Sequence, residues 1–132
     1  MTISLNFAFG QKQKINLDKE TGLIYVNGNK YAKLDKENAP GQLGINKNFT
    51  ITNLEGKELV YIAFKQEDIY DAWGNKKETK SFYLITFLES NKSARKNGTM
   101  TASGAAKLIA KNNLILEGEI DSEAEKKFHL KY

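Results

Sequence analysis

The stretch Asn48–Phe64, NFTITNLEGKELVYIAF, constrains the fold more than any other part of the chain. Phe49 and Ile51 alternate with Thr50 and Thr52, and Leu59–Phe64 is an almost unbroken run of strand-favouring apolar residues. Two strands meeting at Glu55-Gly56 follow, because Gly accepts the positive φ of a tight turn and Asn53 can bond its own backbone. Thr21–Leu34, TGLIYVNGNKYAKL, repeats the arrangement around Asn27-Gly28, a dipeptide whose residues both tolerate the left-handed conformation of a two-residue hairpin turn. Consecutive hairpins imply antiparallel pairing.

Ser81–Leu88 carries Phe82, Leu84 and Leu88 on one face and Tyr83, Ile85 and Phe87 on the other, so both faces are apolar. One face can line a core, and the second calls for a helix, another sheet or a ligand. The C-terminal third supplies candidate helices. One runs from Gly104 to about Asn112 after a Ser103 cap, and another spans Glu123–Phe128 after Asp121 or Ser122. The expected fold is therefore mainly β (α+β): an antiparallel sheet of roughly five to seven strands, with one or two short C-terminal helices covering one face. Lys12–Lys19 is a short edge-strand candidate, whereas Asp35–Lys47, with Pro40, Gly41 and Gly44, and Glu89–Gly98 read as loops or connections.

Met1–Gln11, MTISLNFAFGQ, differs from the rest. Its apolar run ends in Ala8-Phe9-Gly10 with small residues at the spacing of a signal-peptidase site, and the charged body starts at Lys12. Two expectations stand: the remnant of an export signal, with residues 12–132 as one β-rich domain, or a first strand with Leu5, Phe7 and Phe9 on one face. The export reading places the protein in the periplasm or outside the cell; the strand reading leaves it cytoplasmic. The absence of cysteine removes disulfide scaffolds, thiol nucleophiles and zinc-thiolate sites, and His129 is the sole histidine. Although 20 Lys and Arg face 16 Asp and Glu, only Arg95 is an arginine, so paired guanidinium recognition of phosphates and nucleic acid is not expected. No cofactor or metal is implied, and no stretch is long and apolar enough for a membrane span.

The remaining chemistry concentrates in Lys65–Lys80, KQEDIYDAWGNKKETK, read as a long polar loop between strands. Tyr70 and Trp73 give it rigid amphipathic area suited to a protein or glycan partner. Lys76, Lys77, Arg95 and Lys96, extended by Lys80 and Lys92, would add a basic patch able to take an anionic polymer. A non-catalytic binding or accessory module is the leading expectation. Its rivals are lipid binding and a small glycan hydrolase using Asp68 or Asp71, with Glu78 nearby, beside a Trp73-lined cleft. In the blandest alternative, Trp73 folds back and plugs the end of the core.

Three segments follow one another along the chain: Thr21-Gly22-x-Ile24-x-Val26-x-Gly28, then Phe49-Thr50-Ile51-x-Asn53-x-x-Gly56-Lys57-Glu58-Leu59, then Lys111-Asn112-Asn113-Leu114-Ile115-x-x-Gly118-x-Ile120-Asp121. This order resembles that of small, uncharacterised exported β-rich proteins of the Bacteroidetes. The resemblance is structural, covers most of the chain and implies export without assigning an activity or a site residue.

Overall fold

A computed structural model describes residues 13–132, so both readings of Met1–Gln11 lie outside the described residues. Seven strands form one antiparallel sheet in chain order: β1 (Ile15–Leu17), β2 (Leu23–Val26), β3 (Asn29–Asn38), β4 (Lys47–Thr52), β5 (Glu58–Tyr70), β6 (Lys76–Phe87) and β7 (Lys92–Asn97). Helix α1 (Ala102–Lys111), a small ribbon of β8 (Ile115–Leu116) and β9 (Glu119–Ile120), and helix α2 (Ser122–Lys131) follow. A simple meander results because every sheet connection is a short turn or loop that returns the chain beside the strand it has just left.

Strand alternation decides which face is covered. Ile51, Val60 and Phe87 stand in one cross-strand row and Phe49, Ile62 and Ile85 in the next, all essentially inaccessible to water. Both helices pack on this face, α1 towards β1 and β3 and α2 towards β7. Helix α1 buries Ala105, Ala106, Leu108, Ile109 and Ala110, a stripe at helical spacing. In α2 the corresponding anchors are Ala124 and Phe128, whose ring meets Phe87 edge-on at 5.5 Å. Tyr83, Ile85 and Phe87 thus form the covered face, while Phe82 and Leu84 on the reverse are half-buried and, among the described residues, no second layer packs over them.

Several sequence expectations need correction. Thr101, not Ser103, caps α1: its hydroxyl accepts the Gly104 N–H at 3.0 Å, which places Ser103 and Gly104 inside the first turn. Helix α2 runs on past Phe128 to Lys131, with Glu123 and Glu125 near its start and Lys131 at its end complementing the helix dipole. Strand β3 continues to Asn38, and Glu89–Gly98 contains β7. Ala94 is the only apolar residue of that edge strand, so period-two alternation gives no sign of it. Lys65–Lys80 is not a long loop either, because β5 and β6 occupy all of it except residues 71–75.

Candidate functional site

The β5–β6 hairpin outgrows the sheet. Pairing of β4 ends at Phe49↔Ile62, where Asn48 replaces the next ladder bond by accepting the Phe64 N–H on its side-chain oxygen at 2.8 Å. On the other side, Gly98 donates to the Ser81 carbonyl at 3.1 Å and the chain then turns away towards α1. Beyond these two stops, among the described residues, β5 and β6 pair only with each other, through Glu67↔Lys80, Asp68↔Thr79, Ile69↔Glu78 and Tyr70↔Lys76. The resulting two-stranded arm carries Tyr70 about 20 Å past Phe64.

Such ribbons are marginal by themselves, and this one is braced at both ends. At its base the Arg95 guanidinium forks onto Glu67 at 2.9 and 3.2 Å and lies 3.8 Å over the Phe82 ring. The hydrogen bond from Arg95 holds the Glu67 carboxyl below the ordinary glutamate range. Along one side, Thr79 donates to Asp68 at 2.8 Å and Lys76 stands 3.8 Å from the same carboxylate oxygen. At the tip, a single Asp71 oxygen accepts the N–H groups of Trp73 and Asn75, both at 2.9 Å, while Gly74 takes φ +81°.

This arm brings together Tyr70, Trp73, Lys76 and Lys77. Trp73 is 85% exposed and Tyr70 58% exposed, so Trp73 does not plug the core: the ordered arm carries it beyond reach of the core. Arg95 and Lys96 do not join them. As neighbours on β7 they point to opposite faces, Arg95 to Glu67 and Phe82, Lys96 towards the Tyr132 ring on the helix side. The expected basic patch is therefore divided. Within the arm Lys65, Lys76, Lys77 and Lys80 are matched by Glu67, Asp68, Asp71 and Glu78, leaving no net charge.

The carboxylates of the hydrolase reading are committed to structure, Asp71 to the turn and Asp68 to Thr79, while Glu78 projects from the opposite side of the ribbon to Asp68. Two clefts lie elsewhere. One, of about 210 Å³, is lined by Leu17, Gly22, Leu34 and Ala102, and the other, of about 200 Å³, lies between Ile15–Leu17 and α1. Neither contains an arm residue. Among the described residues no cluster of three His, Asp or Glu side chains could hold a metal ion, and no helix is long and apolar enough to cross a membrane.

Two features escaped the sequence reading. Glu125, buried on α2, accepts the Ser90 hydroxyl at 2.6 Å and bonds His129 at 2.9 Å, which ties the helix to the β6–β7 turn. The β3–β4 loop exposes Leu43 and Ile45, 96% and 79% accessible. Its glycines marked the turn, but nothing in the local pattern shows which way the aliphatic side chains face. Comparison of the chain with protein-family models, curated proteins and solved structures gives no match.

Proposed function

We propose that the protein is a non-catalytic binding or accessory module acting outside the cytoplasm, and that it meets a protein or glycan partner with the tip of the β5–β6 arm. The observation that carries this reading is Trp73, 85% exposed at the end of a ribbon whose turn is fixed by Asp71. A large aromatic side chain held in water on an ordered support is preorganised for contact, because little conformational freedom remains to be lost on binding. Tyr70, one strand position before the turn, widens the contact, and Lys76 and Lys77 border it. The extracytoplasmic assignment rests on the apolar run that ends in Ala8-Phe9-Gly10, with small residues at the spacing of a signal-peptidase site. N-terminal sequencing of the mature product should find it beginning near Gln11; retention of Met1 would refute export.

Trp73→Ala tests the site. Stability should stay within about 0.5 kcal/mol of the parent, as at a surface position. Binding to an envelope-protein or glycan ligand, identified by array and confirmed by titration, should weaken by about 30-fold or more. Destabilisation by about 3–5 kcal/mol, the usual cost of truncating a buried large aromatic, would refute the assignment.

A further inference from the structure

We propose that the open edge of β5 at Gln66 and Asp68, together with Leu43 and Ile45, captures an extended polypeptide segment of a partner protein, which adds as a strand beside β5. The inference concerns the base of the arm and is independent of the tip. Phe64 directs its N–H to the side where β4 stops, since Asn48 accepts it there. Strand alternation sends the backbone groups of Gln66 and Asp68 to that same side, where β4 no longer pairs. Donors and acceptors spaced along a strand edge are matched by another extended backbone, which gives the partner its chemical class.

The β3–β4 loop stands beside this edge and is built to hold its shape. Ala39 bonds Asn46 at 3.0 Å, Ile45 bonds the Gln42 carbonyl at 2.9 Å, and the Asn46 amide reaches the Gln42 side chain at 3.0 Å. Gln42 in turn contacts Gln66 at 3.4 Å, so the loop leans onto β5 where the edge opens. Leu43 sits at φ +53°, a conformation a leucine rarely adopts, and its side chain is almost wholly exposed. An incoming strand would cover Leu43 and Ile45 while pairing with Gln66 and Asp68. A second copy of this chain fits poorly: antiparallel registers centred on Glu67 or Asp68 set like carboxylates opposite each other, and the register centred on Gln66 brings Asp68 to Phe64, whose N–H Asn48 already holds. The opposite edge, along β6, runs through Lys76, Lys77 and Lys80, a composition that discourages strand addition.

The test uses the full chain and a phage-displayed library of short random peptides, with selected peptides resynthesised and titrated. Asp68→Pro removes an N–H that makes no ladder bond, a place where an edge strand tolerates proline, whereas Asp68→Ala removes the carboxylate and keeps that N–H. Selected peptides should bind the parent and protect its Gln66 and Asp68 amides from hydrogen exchange, and should bind Asp68→Ala more tightly than Asp68→Pro. They should bind Asp68→Pro about tenfold or more weakly than the parent. The double variant Leu43→Ser/Ile45→Ser, remote from the arm's own pairing, should lose a similar factor and covers the case in which proline disturbs the ribbon. Failure to select any binder, equal binding by Asp68→Pro and the double variant, or protection confined to the helix-side clefts would overturn the proposal. Peptides lost only on Trp73→Ala would also overturn it while leaving the reading of the tip intact.

Discussion

The turns Asn53–Lys57 and Asp71–Asn75 have the same backbone and opposite fates. In each, the first residue donates to the carbonyl of the last at 2.9 Å and accepts from the glycine N–H at 3.1 Å. In each, its side-chain oxygen accepts two further N–H groups, all at 2.9 Å. Each is followed by a bulge, Leu59 after the first and Lys77 after the second. The difference is in the side chains. Asn53 has an amide left over, which donates to the Gly118 carbonyl at 2.9 Å, and Lys57 bonds Glu119 at 2.7 Å, so the first turn is docked against the β8–β9 ribbon. Asp71 has no donor to offer, and its turn stands free with Trp73 where the first turn has Glu55. One hydrogen-bonded turn thus serves as an internal fastener or as an outward display, according to the residues placed on it.

The bulge positions should show the largest contrast. Leu59→Ala should cost about 2–5 kcal/mol in chemical denaturation, since Leu59 is fully buried in the core, whereas Lys77→Ala should stay within about 0.5 kcal/mol. Similar effects at the two sites would show that the two bulges are held alike by the fold. The turn residues sharpen the contrast. Asn53→Asp keeps the acceptor but removes the donor and sets a carboxylate beside the Gly118 carbonyl, so a loss of about 1–3 kcal/mol is expected. Asp71→Asn should be nearly neutral, within about 0.5 kcal/mol, because among the described residues nothing docks against that turn.

The smallest effect is electrostatic and belongs to the base of the arm. Arg95 lowers the Glu67 pKa in the folded protein, so the pair's contribution is present above the unfolded glutamate value and disappears as pH falls through the lower, folded one. Arg95→Gln should move the Glu67 titration, followed by NMR, back up towards the ordinary glutamate range and remove that part of the acid sensitivity. An unchanged titration would show that Glu67 and Arg95 do not meet in solution.

The sheet was legible where turn chemistry and alternation agreed, as at Asn27-Gly28, Glu55-Gly56 and the two-faced Ser81–Leu88, and the buried stripe of α1 was equally clear. Lys65–Lys80 misled because its strands face water on both sides: Gln66, Asp68, Lys76 and Lys80 carry no apolar period, and pairing alone makes them strand. Strand β7 was hidden for a related reason, since an edge strand with Ala94 as its one apolar contact has little to reveal. At the candidate site, Tyr70 and Trp73 stood out as large aromatics in a polar stretch. The separation of Arg95 from Lys96 depends on β7 being a strand and could not be read until that was known.

The arm holds Trp73 in water, and because Trp73 is the only tryptophan, fluorescence excited selectively at the indole reports on that exposure alone. Acrylamide quenching of the native protein, compared with the same protein in denaturant, measures the access directly. Native emission at the wavelength of water-exposed indole, with a quenching constant close to that of the unfolded chain, is the predicted result. Blue-shifted emission with strong shielding in the free protein would contradict it.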